Sequence, residues 1–206
     1  DAMPVAPARP GRGPLAARVV FDDDTGFDLT EAGTQKRLAL YVVDALDEVP
    51  GIATLGPDPL GDDFTAQTLD GILAAAGRAQ LKGVLRDQRI IAGIGNAYSD
   101  EILHAARLSP FKPSNGLDEA ERATLYAAIR SELADAVARS AGLAARERKG
   151  DKNLNLRVHG KTGRPCPVCG TTIAEVSFAD SSLQYCPGCQ TGGKLLADRR
   201  LSRLLK

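Results

Sequence analysis

The sequence predicts an α+β fold, with strands first, helices in the middle and a metal-bound β-hairpin at the end. Three observations predict it. All four cysteines fall in Cys166-Pro167-Val168-Cys169 and Cys186-Pro187-Gly188-Cys189, two Cys-x-x-Cys knuckles separated by sixteen residues. From Thr65 to Ser140 the apolar residues recur at helical spacing. Before Pro50 they come in short runs broken by turn signals, the pattern of strands. A chain of 206 residues accommodates one large domain or two to three small ones. The expected boundaries are 1–54, 55–150 and 151–206.

Asp1 to Pro14 is rich in Pro, Ala and Arg and reads as an extended arm. Arg18 to Phe21 is a β-like run, Asp22-Asp23-Asp24-Thr25-Gly26 a hairpin turn signal, and Phe27 to Thr30 the returning strand. Leu38 to Val43 is a third apolar run, expected to be a strand. Three short strands do not close a stable domain, so they are expected to be the back half of a sandwich or barrel whose front half is absent from these residues.

Pro50-Gly51 and Leu55-Gly56-Pro57-Asp58-Pro59-Leu60 break the chain as a linker. A helix is then expected over Thr65–Ala76 with Thr65 as N-cap, a second over Gln80–Arg86, a turn at Asp87-Gln88-Arg89, and a helix over Ala97–Ala106. Leu117 to Ser140 reads as a long amphipathic helix capped by Asp118, with Leu125, Ile129, Leu133 and Val137 on one face. Gly142 to Asn155 is polar, basic and loop-like. Beyond the knuckles, Gly192-Gly193 leads to a short basic stretch, Leu195–Lys206, expected to be helical.

The knuckle spacing is that of a four-cysteine ribbon, so one structural Zn²⁺ on Cys166, Cys169, Cys186 and Cys189 is expected. Two disulfides or two redox motifs are the alternative, but a redox Cys-x-x-Cys normally comes singly on a βαβ unit. Four metal-suited cysteines imply a reducing compartment. No apolar run approaches the length of a membrane span, and no membrane partner is expected. The net charge is zero, yet residues 146–206 hold twelve Lys and Arg against five acids. A basic module around a zinc ribbon fits a polyanion; a solubilising basic tail is the alternative.

Gly93-Ile94-Gly95-Asn96 places two glycines before a helix start, where backbone N–H groups approach a phosphate closely and Asn96 caps the helix or donates to a phosphate oxygen. A tight packing joint between helices is the alternative. Lys82, Arg86 and Arg89 lie just upstream, with Arg78 before them, and are expected to surround the same anion. His104 is expected to be a satisfied, partly buried histidine, and His159 a surface or phosphate-contacting one. Tyr98 and Tyr126 read as core, and Asp22-Asp23-Asp24 as a solvated turn.

The run from Gln80 to Leu103, containing Gln80-Leu81-Lys82-Gly83-Val84-Leu85 and Gly93-Ile94-Gly95-Asn96-Ala97-Tyr98-Ser99-Asp100-Glu101, resembles the helix–two-turns–helix of the formamidopyrimidine-DNA glycosylase / endonuclease VIII family. Leu55-Gly56-Pro57-Asp58-Pro59-Leu60 resembles the linker before it, and Arg107-Leu108-Ser109-Pro110 the segment after it. Val158-His159-Gly160-Lys161-Thr162-Gly163-Arg164-Pro165-Cys166 resembles the start of that family's zinc finger. The resemblance spans about Leu15 to Gln190, with its motifs in order.

It implies a partial N-terminal β-sandwich, a helix–two-turns–helix domain and a C-terminal zinc-ribbon β-hairpin. It also implies base-excision repair: a glycosylase and abasic-site lyase that flips an oxidised base out of duplex DNA. The family's nucleophile is an N-terminal proline amine that forms a Schiff base, beside a glutamate acid. Carried over by motif, Lys82 and Asn96 bind phosphates beside the lesion, and Lys36 and Arg37 lie near the strand-intercalating loop; Gly93, Gly95 and Arg78 are expected among the DNA-binding residues. The sequence departs from the pattern in three places. It does not begin with the family's Pro-Glu, so no catalytic residue is assigned, and these 206 residues are expected to bind damaged or abasic duplex DNA without cleaving it. Ser181 stands where the family's hairpin carries an arginine. Leu38, in Thr34-Gln35-Lys36-Arg37-Leu38-Ala39, stands where a wedging phenylalanine belongs. A monomer in the bacterial cytoplasm, associated with the nucleoid, is the expected setting. The alternatives are a damaged-DNA-binding zinc module without activity, and a zinc-ribbon interaction protein that does not prefer damaged duplexes.

Overall fold

The computed structural model describes residues 14–32, 34, 36–142, 155–178 and 181–197. The chain packs as two units, Asp1–Ala53 and Thr54–Lys206. The arm before residue 14, most of the loop expected at 142–155 and the basic stretch from 198 onward lie outside the described residues.

In the first unit, β1 (Leu15–Val20) and β2 (Gly26–Thr30) form an antiparallel hairpin in which Val20 faces Gly26 and Arg18 faces Asp28. The Asp-rich turn closes as expected. Asp23 Oδ1 accepts from the Thr25 backbone N–H at 3.0 Å and from its hydroxyl at 2.6 Å, and Asp24 takes φ 60°. The Arg18 guanidinium sits 2.5 Å from Asp28 across the strands and holds that carboxyl below the usual carboxylate range. Leu38–Val43 differs from its expected strand: it has no ladder partner among the described residues, and Leu40 and Val42 are 66% and 95% exposed. A strand needs a neighbour to take its N–H and C=O groups, and the described residues supply none. A 3₁₀ turn at Leu46–Glu48 and one helical turn, α1 (Pro50–Ala53), follow.

The second unit is built on α2 (Ala66–Ala76), α3 (Leu81–Arg86), α4 (Asn96–Ala105) and α5 (Glu119–Ser140). Thr65 caps α2 by a reciprocal pair with Thr68, and Asp118 caps α5 by a reciprocal pair with Glu121. Phe64, Leu69, Leu73, Leu81, Leu85, Ile91, Ile94, Ile102, Leu103, Leu125, Ile129 and Leu133 make one core. Tyr98 and Tyr126 pack against it, and Tyr126 Oη donates to Phe64 O at 3.1 Å. Val137 leaves the face it was expected to share and is 60% exposed. At 3.6 residues per turn, each step of four residues drifts by about 40°, so the fourth member points well away from the first.

The linker Leu55–Leu60 is packed tightly. Gly56 N donates to Gln88 O at 2.8 Å, and a Cβ on Gly56 would stand 2.5 Å from the Ile90 carbonyl. The obstruction is backbone, which cannot rotate away. Gly56→Ala is therefore expected to cost about 1–3 kcal/mol, read as a lowered urea midpoint at unchanged slope.

The ribbon adds β3 (Ala174–Ser177) paired antiparallel with β4 (Ser182–Tyr185), then α6 (Pro187–Gln190). Val158, Cys166, Ile173 and Cys186 pack around the knuckles. Val176, Leu183 and Tyr185 form a second cluster with Phe111, Phe178 and Leu196. No helix among the described residues is long and apolar enough to cross a membrane.

Candidate metal centre and nucleic-acid interface

The four thiols converge without bonding to one another. Cys166 Sγ lies 3.9 Å from Cys189 Sγ, and Cys169 Sγ lies 3.3 Å from Cys186 Sγ. Both distances far exceed the ~2.05 Å of a disulfide. Sulfurs bound about 2.3 Å from a tetrahedral zinc stand roughly 3.8 Å apart, so the set fits a zinc ion on Cys166, Cys169, Cys186 and Cys189. Each knuckle is prepared locally. Gly170, at φ 75°, lets its N–H turn back to Cys166 O at 2.9 Å, and Cys189 N donates to Cys186 Sγ at 3.4 Å. The Thr171 hydroxyl, and then its backbone N–H, hold the Cys169 thiol down to about 6. Burial pushes the Cys189 thiol up.

A fifth donor group reaches this cluster. His104, near the end of α4 and 2% exposed, places Nε2 3.3 Å from Cys166 Sγ. The donor atoms of His104, Cys166, Cys186 and Cys189 all lie within 4.8 Å of one another. Burial, then the Arg157 charge, push its pKa down. The sequence reading of a satisfied histidine is half met, because Nδ1 is buried without a partner among the described residues.

The helix–two-turns–helix is α3, the turn 87–95, and α4. Gln88 clamps the turn: its Oε1 accepts from Gly93 N and its Nε2 donates to Ile94 O, both at 2.8 Å. Gly93 takes φ 78°, a conformation that favours glycine. The cap of α4 is Gly95, not Asn96. Asn96 occupies the first helical position, and its Nδ2 donates to Ser182 O of β4 at 2.9 Å. The turn and the hairpin thereby share an edge across 86 residues of sequence.

Lys82 lies inside this arrangement rather than at its surface. It is 4% exposed, and its ammonium donates to Asn96 O at 2.8 Å, Ser99 Oγ at 2.7 Å and Asp100 Oδ1 at 2.6 Å. An ammonium has three protons, and all three point inward, so Lys82 supports Asn96 from below instead of facing a phosphate. Burial pushes the Lys82 pKa down, and the Asp100 charge opposes that shift. Arg89 pairs with Asp87 at 3.0 Å. Arg78 and Arg86 are both exposed, and Arg86 borders a cavity of about 270 Å³ shared with Phe111, Phe178 and Ser181. Lys36 and Arg37 belong to the first unit, where Glu31 gathers them: its carbonyl accepts from Lys36 Nζ and its carboxylate from the Arg37 N–H.

Two carboxylates of α4 escaped the sequence reading. Asp100 is fully buried, and its Oδ2 accepts from His159 Nδ1 at 2.7 Å and Gln184 N at 3.2 Å. Glu101 is 2% exposed and accepts from the backbone N–H groups of Arg157, Val158 and His159, each at 2.9 Å. Together they dock the start of the ribbon and β4 onto α4. Gln190 links the second knuckle to the segment after α4: its Oε1 accepts from Cys186 N and its Nε2 donates to Leu108 O. The available signal was a pair of acids on a helix otherwise facing the core, where an unpaired carboxylate is costly.

Comparison with known proteins gives two family matches. The model described as "Formamidopyrimidine-DNA glycosylase H2TH domain" matches residues 55–147, and "Zinc finger found in FPG and IleRS" matches residues 163–192. An "Uncharacterized formamidopyrimidine-DNA glycosylase-like protein" of Mycobacterium tuberculosis is 57% identical over 76% of this chain and 98% of its own length. A formamidopyrimidine-DNA glycosylase of Symbiobacterium thermophilum is 37% identical over 91% of this chain, which spans 64% of that enzyme. The crystal structure of the MutM (Fpg) protein from Thermus thermophilus aligns with TM-score 0.70 and 30% identity over 91% of this chain and 71% of that one. A complex of Lactococcus lactis Fpg with DNA containing an abasic site aligns with TM-score 0.61 and 30% identity, over 70% and 55%.

Proposed function

The chain belongs to the formamidopyrimidine-DNA glycosylase family, and from that premise we propose that it grips duplex DNA carrying a damaged base or an abasic site. One observation carries the reading: the Asn96 Nδ2 to Ser182 O contact. It joins the helix–two-turns–helix turn to the zinc hairpin in a single edge. A side-chain amide has two protons. One lies on Ser182 O, and the second serves a phosphate oxygen of the DNA. Gly93 and Gly95 allow the backbone to approach closely, while Arg78 and Arg86 supply charge. Lys36 and Arg37 contribute phosphate contacts from the first unit. The glycosylase and lyase chemistry that the family resemblance implies runs through an amine nucleophile that forms a Schiff base with the sugar, and no residue of these 206 is assigned that role.

Fluorescence anisotropy with a duplex containing a tetrahydrofuran abasic analogue tests binding. Asn96→Ala is expected to weaken it about tenfold or more, from loss of a hydrogen bond to a charged group worth roughly 1.5–3 kcal/mol. Affinity should also fall steeply with salt as phosphate contacts release counterions. Equal affinity in the Asn96 variant would refute the placement of the phosphate.

A second reading is favoured by the mycobacterial relative, whose sequence this chain spans almost end to end. In it, the fold recognises damaged DNA without excising anything. Borohydride trapping on abasic-site DNA separates the two. An adduct with the full reading frame but not with these 206 residues supports the enzyme. No adduct with either, with binding retained, supports the recognition module.

A further inference from the structure

We infer that His104 donates its Nε2–H to the Cys166 thiolate of the zinc site, so that α4 and the ribbon hold the metal jointly. Four thiolates around one dication leave two net negative charges in a small volume, and N–H donors to sulfur offset part of that charge. Cys169 has the Thr171 donors, and Cys186 Sγ has the Cys189 N–H. For Cys166 Sγ the donor within reach is the His104 ring, at 3.3 Å.

The competing role is direct ligation, with His104 replacing the exposed Cys169 in a three-cysteine, one-histidine site. Its ring nitrogen lies close enough to Cys166, Cys186 and Cys189 for that. Nδ1 decides between the two. A histidine that binds metal through Nε2 carries its proton on Nδ1, and that N–H nearly always meets a carboxylate, carbonyl or water. Here Nδ1 is buried with no partner among the described residues. Ligation would therefore bury an orphaned donor. With the proton on Nε2, the orphan is an acceptor, which is less rarely left unsatisfied, and the donor meets a thiolate. A ring protonated on both nitrogens would again orphan a donor.

The consequence reaches beyond the ribbon. Asn96 begins the helix on which His104 sits, and Asp100 and Glu101 between them hold ribbon backbone. The ribbon is thus tied through Asn96, Asp100, Glu101 and His104 to the helix that starts the proposed phosphate edge.

Long-range ¹H–¹⁵N spectra of the zinc-loaded chain with ¹⁵N-labelled histidine test the assignment. The expected pattern has the proton on Nε2. A proton on Nδ1, with Nε2 shifted as a metal-bound nitrogen, overturns it. Zinc release to a colorimetric chelator is the second readout. His104→Phe removes the donor and should lower metal affinity about 10–100-fold, while His104→Gln, which keeps an N–H, should release zinc near the native rate. A folded His104→Phe protein with native zinc release overturns the inference. If that variant does not fold, the tautomer in the native chain decides alone.

Discussion

Replacing Asp100 with alanine should destabilise the protein by about 3–5 kcal/mol, the usual cost of leaving one member of a buried ion pair alone. Asp100 is fully buried and its partner Lys82 nearly so. The pair is 2.6 Å apart, and neither partner is placed to recover water if the other is lost. The same carboxylate accepts from His159 Nδ1 and Gln184 N, so the variant also strands a backbone N–H of β4. Lys82→Met alone should be costly as well, because Asp100 would then remain buried beside a neutral neighbour. Combining Lys82→Met with Asp100→Ala should cost less than the two single changes added together, since the double variant buries no unpaired charge. Urea unfolding of all four proteins measures this cycle. Additive losses would mean that the two charges do not hold each other.

Removing zinc is the second large perturbation. Structural zinc binding contributes on the order of 10–16 kcal/mol in small ribbons and fingers, most of it as folding energy. The ribbon has two small apolar clusters of its own, around Cys166 and around Tyr185. The helical core from Phe64 to Leu133 is separate from both. Chelation is therefore expected to collapse the amide signals of residues 158–190 while α2, α3 and α5 keep theirs. Signals at Asp100 and Glu101 should move, because their partners at Arg157, Val158, His159 and Gln184 depart. DNA binding should be lost along with the hairpin. Unchanged hairpin signals in a protein shown by metal analysis to be zinc-free would refute this.

Much of this follows from local chemistry, and local chemistry is written in the sequence. Thr65 and Asp118 mark helix starts because each side chain meets an N–H three residues on. The Asp-rich turn is legible because Asp23 closes it within two residues. The metal centre is legible because two Cys-x-x-Cys knuckles bring their own geometry wherever they stand. The motifs from Leu55 to Gln190 were enough to place the family.

Fold class and a structural zinc are therefore readable from residue types and their spacing, and the kind of partner from the family resemblance that the motifs carry. Which charges face inward is not, because that depends on how the elements pack. Lys82 reads as a phosphate ligand from its position ahead of Gly93-Ile94-Gly95-Asn96, yet its ammonium ends under α4 because Asp100, eighteen residues on, is buried there to receive it. Leu38–Val43 has the composition of a strand, but strand formation depends on a neighbour that composition does not reveal. His104 meets Cys166 across 62 residues, and Asn96 meets Ser182 across 86. Such pairings are set by which surfaces pack together, and one residue's chemistry does not name its partner until the chain has closed.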